Sequence, residues 1–178
     1  GIRRFSFFAD LRSVMAVYGL DMGGLLNDDR FRDILRFLLT EDGLNYANLP
    51  KGLLKFHEYD DRGRTPFDEH LVEAASYITD KDGQSLLHFT VSEEHLERFQ
   101  RAFEEVREGC QAKYGVDFDV SFSLQDPSTD TLAVDLDNRP FRREDGALLF
   151  RPGGHGALLQ NLQNTGGDIV FIKNTGKF

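Results

Sequence analysis

The chain has few of the residues that would link it to an oxidising compartment, a membrane or a nucleic acid. It has one cysteine, Cys110, and no tryptophan among 178 residues. A single cysteine excludes an internal disulfide and suits a reducing compartment, so we expect a cytoplasmic location. No apolar run approaches the ~18 residues of a membrane span. The 21 basic and 30 acidic residues give a net charge of −9, which argues against nucleic acid as a partner.

Several signature motifs of catalysis and metal binding are also missing. No Gly-Lys-Ser/Thr follows a glycine loop, as Walker loops require, and no Gly-x-Ser-x-Gly nucleophile elbow occurs. The five histidines lie far apart, with neither a His-Glu-x-x-His pair nor paired cysteines, which argues against a zinc site. His88 lies inside an apolar strand and is interpreted as a hydrogen-bonded core residue.

Apolar periodicity predicts alternating helices and strands. Helices are predicted over 31–38, from Pro66 to about Ile78 behind a Thr65 cap, and from Ser92 to just before Gly115. Strands are predicted over 53–56, 85–91, 116–124, 131–134, 147–150 and 169–172. This alternation favours a three-layer α/β fold with a mostly parallel central sheet.

The predicted elements divide the chain into a helical N-terminal segment, residues 1–44, and an α/β core, residues 45–178, within what we expect to be one domain overall. The chain begins at Gly1 without methionine and stops just after a predicted strand. We therefore expect it to be a core fragment of a longer protein. The sequence leaves the oligomeric state open.

The stretch from Arg151 to Leu159 is the most informative part of the sequence. Pro152 and three glycines stand between a predicted strand and a predicted helix, with His155 among them. The glycines are Gly153, Gly154 and Gly156. Glycine N–H groups can approach a ligand closely, and a helix start adds unpaired N–H groups. The pattern is typical of a site for phosphate or another polar ligand, and also of a tight turn with His155 as a polar cap.

Further polar residues lie at the ends of other predicted strands, and the ligands of open α/β sheets collect at strand ends. Lys51 precedes the strand predicted over 53–56, and the others follow predicted strands. If one site draws on them, Lys51 and Arg151 would bind phosphate charge, and Gln125 would read the edge of a base through its amide. The other candidates at strand ends are Thr129, Asp130, Lys173 and Asn174. The alternatives are an ordinary exposed lysine at position 51, and turn capping by Gln125 and Asp130.

Seven short motifs between about residues 45 and 174 are specific enough to compare with known families. They are Pro50-Lys51-Gly52-Leu53-Leu54, Asp68-Glu69-His70-Leu71, His88-Phe89-Thr90-Val91-Ser92, Phe122-Ser123-x-Gln125, Ser128-Thr129-Asp130-Thr131, Arg151 to Leu158, and Phe171-Ile172-Lys173-Asn174. Together they resemble an uncharacterised bacterial domain-of-unknown-function (DUF) family. That family is itself similar to sugar-nucleotide pyrophosphorylases of the UDP-N-acetylglucosamine type.

The resemblance implies a Rossmann-like nucleotidyltransferase fold and Mg²⁺-assisted transfer of a nucleotide to a sugar 1-phosphate. It implies that Lys51 contacts phosphate or sugar, that Gln125 reads uracil, and that residues 153–156 hold the nucleotide and sugar. The segment 172–174 is similar to a strand end that usually continues into a metal-binding aspartate turn.

Two departures separate this chain from the pyrophosphorylase pattern. No glycine-rich, arginine-containing phosphate loop occurs in residues 1–44, and residues 175–178 stand where the metal-binding aspartate is expected. The sequence therefore does not identify the Mg²⁺ ligands. A sugar-phosphate nucleotidyltransferase is the leading hypothesis. The alternatives are a non-catalytic module that binds a nucleotide or sugar nucleotide, and a protein whose loops serve only packing or assembly.

Overall fold

A computed structural model describes residues 1–59, 62–153 and 155–173. Its helices are α1 (Phe8–Val17), α2 (Met22–Asn27), α3 (Phe31–Leu39), α4 (Pro66–Tyr77), α5 (Leu96–Tyr114) and α6 (Leu159–Gln163). Its strands are β1 (His57–Glu58), β2 (Gly63–Arg64), β3 (Gln84–Val91), β4 (Asp117–Leu124), β5 (Thr131–Leu132) and β6 (Phe150–Arg151). Short 3-10 helices occur at Ile2–Arg4, Lys51–Leu53, Glu93–His95, Pro127–Thr129 and His155–Leu158.

Strands β3 and β4 form the longest sheet of the described residues, and they run parallel. Their register pairs Gln84 with Asp117 at one end and Val91 with Leu124 at the other. Helix α5 makes the crossover that a parallel pair requires. The predicted α/β class is confirmed. The parallel sheet, however, contains two strands within the described ranges, whereas the sequence predicts a broader one.

Two of the predicted strands are wrong. Residues 53–56 are not a strand, because the chain makes a 3-10 turn at Lys51–Leu53 and bends after it. The Phe56 N–H then donates to the Arg64 carbonyl oxygen, next to the short β1–β2 pair. Four apolar residues are too few for periodicity to distinguish a strand from a turn. No strand is formed at 169–172, where Ile169 and Ile172 are 80% and 71% exposed. Its continuous apolar run gives that segment the composition of a strand, but no described strand pairs with it.

The segments 131–134 and 147–150 pair with each other instead of joining the parallel sheet. β5 and β6 are antiparallel, with Thr131 opposite Arg151. The connection between them contains no helix, and a parallel partner would need a crossover of a dozen residues or more, usually helical. Asp135 and Asp145 instead accept backbone N–H groups in two tight turns of this connection.

Helices α4 and α5 cover one face of the β3–β4 pair. At the centre is Phe67 of α4, whose ring centroid lies 4.7 Å from that of Phe89, 5.6 Å from that of Phe99 and 6.5 Å from that of Phe122. The residues on the opposite face alternate with these, as the pleat requires, and Leu86 there is 63% exposed. The predicted third layer, which would cover that face, stays a prediction.

Local capping signals explain where α4 and α5 begin and end. The Thr65 side chain accepts the N–H of Asp68, and Asp68 reciprocally accepts the N–H of Thr65 at 2.8 Å, which confirms the predicted capping box. Helix α5 ends at Gly115, which has φ of 67°, a backbone conformation that favours glycine. Its first turn begins after the 3-10 helix rather than directly at Ser92.

The N-terminal helices have their own apolar cluster, formed by residues of α1, α2 and α3. The Lys55 ammonium joins this part to the rest through an ion pair of 2.5 Å with Asp10 of α1. The Lys55 N–H also donates to the Tyr46 hydroxyl at 3.4 Å, and burial raises the pKa of Tyr46. The predicted boundary between residues 44 and 45 stays a prediction. Within the described ranges, no helix has the length and apolar character needed to cross a bilayer.

We predict that Gly43→Ala destabilises the fold. The Phe37 carbonyl oxygen accepts the N–H of Leu44 at 2.7 Å, and a Cβ on Gly43 would lie 1.9 Å from that oxygen. The turn after α3 must therefore shift, at a cost of about 1–3 kcal/mol. Urea unfolding measures this change. The matched control is Gly109→Ala in exposed α5, where a Cβ meets nothing within 4 Å and a gain of about 0.5–1 kcal/mol is expected. Equal stability of Gly43→Ala and the parent protein would contradict the packing of this turn.

Candidate functional site

The carboxyl ends of β3 and β4 lie side by side, because the parallel register places Val91 opposite Leu124. The residues that follow these strands, Ser92 and Gln125, therefore leave the sheet at the same edge. Open α/β sheets bind their ligands at such an edge. We examined where each sequence-predicted residue lies relative to it.

Lys51 lines a pocket of about 230 Å³ at the end of β3. The polar residues of the lining are Lys51, Thr90, Ser92 and His95, and the aromatic ones are Phe67, Phe89 and Phe99. The turn that carries Lys51 contacts α4, which fixes its place beside the strand end. The lining therefore combines a lysine with aromatic rings, which suits an anionic ligand with a flat or apolar part.

Gln125 follows β4 at the same edge. Its Nε2 atom is buried and has no hydrogen-bond partner among the described residues. A buried donor without an acceptor costs about 1–3 kcal/mol. The side chain therefore does not cap a turn through this donor, which was the alternative interpretation, and a ligand acceptor would satisfy the amide.

Thr129 lies in the turn after Gln125, and its hydroxyl donates to the Asp126 carbonyl oxygen at 2.6 Å. The Asp126 carboxylate accepts the N–H of Ser128 at 2.9 Å, and this bond lowers the pKa of Asp126. The hydroxyl of Thr129 thus serves the turn, as capping residues do. Asp130, half-buried, ends the same turn.

Arg151 is exposed in β6 and does not line the Lys51 pocket. Gly153 is half-buried, and Gly154 lies outside the described residues. His155 and Gly156 begin the 3-10 helix that leads into α6. A Cβ on Gly156 would meet nothing within 4 Å, so the described packing does not require glycine there. The 3-10 helix at 155–158 contacts the one at 127–129, which brings the glycine segment next to the turn after Gln125.

Asn161 of α6 is a site residue that the sequence analysis missed. Its Nδ2 donates to the Ser123 hydroxyl at 2.7 Å and to the Leu124 carbonyl oxygen at 2.8 Å. These bonds hold α6 at the end of β4. A polar residue among the leucines at 158, 159 and 162 was the available signal, because a single amide within an apolar run requires buried partners.

Lys173 lies against α4 and does not line the Lys51 pocket. Its ammonium is 3.3 Å from the Glu73 carboxylate, which raises the pKa of Lys173. The Phe171 ring packs edge-on against Tyr77 with centroids 5.6 Å apart. The segment before Asn174 is therefore attached to the helix that covers the sheet, and Asn174 itself lies outside the described residues.

His88 is exposed on the uncovered face of the sheet, so its interpretation as a core residue is wrong. Strand alternation places it opposite the face that carries Phe89. It is nonetheless hydrogen-bonded, as predicted: Nδ1 lies 2.8 Å from the Ser121 hydroxyl and Nε2 lies 2.8 Å from the Ser123 hydroxyl. The imidazole therefore joins a polar network on the same strands whose other face forms the core.

A nucleotidyltransferase of the resembled type would also need a metal site and a phosphate loop. In the ranges 1–59, 62–153 and 155–173, no group of three or more His, Cys, Asp or Glu side chains is arranged to hold a metal ion. The Gly23 and Gly24 N–H groups at the start of α2 both donate to the Asp21 carboxylate. That carboxylate takes the place a phosphate would need, which agrees with the missing phosphate loop.

The chain was compared with protein-family models, with curated proteins and with solved structures. No curated protein and no solved structure matched it. One family model, described as a domain of unknown function (DUF4301), matches residues 1–177. The match covers nearly the whole chain, including the strand edge, the glycine segment and the N-terminal helices. The chain therefore belongs to the DUF4301 family, a domain of unknown function.

Proposed function

We propose that the carboxyl edge of the β3–β4 pair binds a nucleotide or sugar nucleotide, and that the protein is of the Rossmann-like sugar-phosphate nucleotidyltransferase type. The carrying observation is that Lys51 lines a pocket at the edge where Gln125 leaves the sheet. A single ligand with phosphate at one end and a base at the other would use both side chains.

The size of the pocket supports a ligand that extends beyond it. Its volume of about 230 Å³ is below the roughly 300–1,000 Å³ of typical small-molecule sites. It therefore holds one part of a nucleotide, and the rest would run along the strand ends. Gln125 does not line this pocket, but it follows the neighbouring strand end, and a base carbonyl is an acceptor of the kind that its unpartnered Nε2 lacks. The glycine segment beside the turn at 127–129 supplies backbone groups for a sugar or phosphate.

The net charge of −9 makes the local cation important. A polyphosphate approaching an acidic protein requires at least one nearby positive group, and an ammonium at the pocket wall provides it. Arg151, which is exposed in β6, would add a second cation for the part of the ligand outside the pocket. In this proposal Lys51 and Arg151 steady the phosphates, Gln125 contacts the base, and residues 153–156 hold the sugar.

Nucleotidyl transfer is the reaction that this ligand set fits. An oxygen of the sugar 1-phosphate would form a bond to the α-phosphorus of a nucleoside triphosphate, while the bond to the β-phosphate breaks and pyrophosphate leaves with the electron pair. Mg²⁺, when bound, would neutralise the developing charge. The described part of the chain offers no cluster of ligands for it. That observation favours, as the second candidate, a module that binds the nucleotide without turnover.

We predict that UTP and UDP-N-acetylglucosamine stabilise the parent protein, and that Lys51→Ala and Gln125→Ala each abolish most of this effect. Ligand at ~100-fold above its dissociation constant adds about 2.7 kcal/mol of stability, which raises Tm by roughly 5–10 °C for a chain of this size. The measurement is thermal unfolding with and without Mg²⁺. Matched controls are Lys81→Ala and Gln84→Ala at the opposite end of β3, which should keep the full shift.

Two results would count against the proposal. If no nucleotide shifts Tm of the parent protein, the site does not bind this ligand class. If the variants at 51 and 125 respond like those at 81 and 84, the ligand binds elsewhere. Incorporation of labelled pyrophosphate into UTP, in the presence of UDP-N-acetylglucosamine and Mg²⁺, then separates the two candidates, because an enzyme releases sugar 1-phosphate and forms labelled UTP whereas a binding module does not.

A further inference from the structure

We propose that a hydrogen-bonded bridge, Thr90–Ser123–Asn161, fixes the position of the glycine segment relative to the Lys51 pocket, and that Asn161 is the positioning residue of this bridge. The inference rests on the proposed function insofar as one ligand spans both parts. The bridge itself is a property of the protein without ligand and is testable separately.

The orientation of the Asn161 amide is set by its partners. A carbonyl oxygen can only accept a hydrogen bond, so the amide atom 2.8 Å from the Leu124 carbonyl oxygen is the NH₂ group. The same NH₂ group donates to the Ser123 hydroxyl at 2.7 Å. Asn161 is only 7% exposed, so water does not compete well for these donors.

Ser123 carries the connection across the sheet. It lies opposite Thr90 in the parallel register, and the two hydroxyl oxygens are 3.3 Å apart. Thr90 in turn lines the pocket that contains Lys51. The Thr90 hydroxyl faces away from the aromatic side of that pocket, so the bridge runs along the opposite face of the sheet, from β3 across β4 to the helix that follows the glycine segment.

Helix α6 has little else to hold it. It is five residues long, Asn161 is its one buried residue, and Leu159 on the same helix is 61% exposed. A helix this short is not stable by itself, because helices under ~12 residues are marginal in water. The preceding 3-10 helix contacts the turn at 127–129, but that turn is itself exposed. The two bonds of Asn161 are the buried polar anchor.

The Oδ1 atom of Asn161 has no hydrogen-bond partner among the described residues. A residue chosen only for stability would satisfy both ends of the amide or be replaced by an apolar one. The Nδ2 group of Asn161 is bonded to β4 while its Oδ1 atom has no partner among the described residues, and this combination fits a positioning role. The free acceptor is also a partner for a hydroxyl of the bound sugar.

The test compares Asn161→Asp and Ser123→Ala with two matched controls. Asn161→Asp keeps the shape of the side chain but replaces the NH₂ donor by a carboxylate oxygen. That oxygen cannot donate to the Ser123 hydroxyl or to the Leu124 carbonyl oxygen. The controls are Gln160→Ala, an exposed neighbour on α6, and Ser76→Ala, an exposed serine whose hydroxyl donates to the Val72 carbonyl oxygen within α4. Hydrogen exchange of residues 155–163 without ligand, and the dissociation constant of UTP, are measured for each.

We expect exchange in residues 155–163 to rise about tenfold or more for Asn161→Asp and Ser123→Ala, and UTP affinity to fall by a similar factor. The controls should leave both unchanged. The bridge is wrong if Asn161→Asp exchanges like the parent, or if Gln160→Ala opens the helix as much as Asn161→Asp does. A merely structural role would lower the Tm of every variant of the bridge without this local change. If the parent protein binds no UTP, the proposed function fails, and the exchange data alone still decide the bridge.

Discussion

The parallel register of β3 and β4 is the constraint on which the rest of the structure depends. It buries Phe89 and Phe122 side by side, with ring centroids 5.9 Å apart, under Phe67 of α4. Burying a side chain of this kind contributes about 1.5–3 kcal/mol, so this aromatic group supplies a large part of the few kilocalories that keep a domain folded. A two-stranded sheet has no other means of holding its strands, because two strands alone are marginally stable in water.

Local signals in the sequence were sufficient for the elements around this pair. The Thr65–Asp68 capping box, the glycine at 115 and the alternation along β4 each depend on residues within one turn or one strand, and each is found where predicted. Part of the candidate site at the carboxyl edge of the sheet was also predictable from the sequence. Gln125 follows from the rule that parallel strands end together, and the register of the pair places it at that edge. The sequence places Lys51 before a strand at 53–56 that does not form, and its 3-10 turn instead contacts α4.

Features that depend on distant partners were not predictable in this way. The segment 169–172 is a short apolar run typical of a buried strand, but pairing requires a neighbour, and its Phe171 instead contacts Tyr77 of α4. Lys173 is of a residue type that binds phosphate, yet its ammonium lies 3.3 Å from the carboxylate of Glu73, a hundred positions earlier in the chain. His88 has apolar neighbours along the chain, and only the packing of α4 and α5 on the opposite face of the sheet shows that it lies outside the aromatic core. In each case tertiary contacts outweigh the local pattern.

Consecutive side chains along β3 point to opposite faces of the sheet, so neighbouring residues have different roles at the site. Phe89 faces α4 and forms the floor of the Lys51 pocket, whereas the hydroxyl of Thr90 faces the other side and meets Ser123. A shift of either strand by one residue would exchange the two faces and separate the aromatic floor from the polar network. The register that stabilises the core therefore also sets the geometry of the candidate site. Because Asn161 is bonded to Ser123 and to the carbonyl of Leu124, the glycine segment follows the same register. Core packing and ligand geometry in this chain are thus two consequences of one strand alignment.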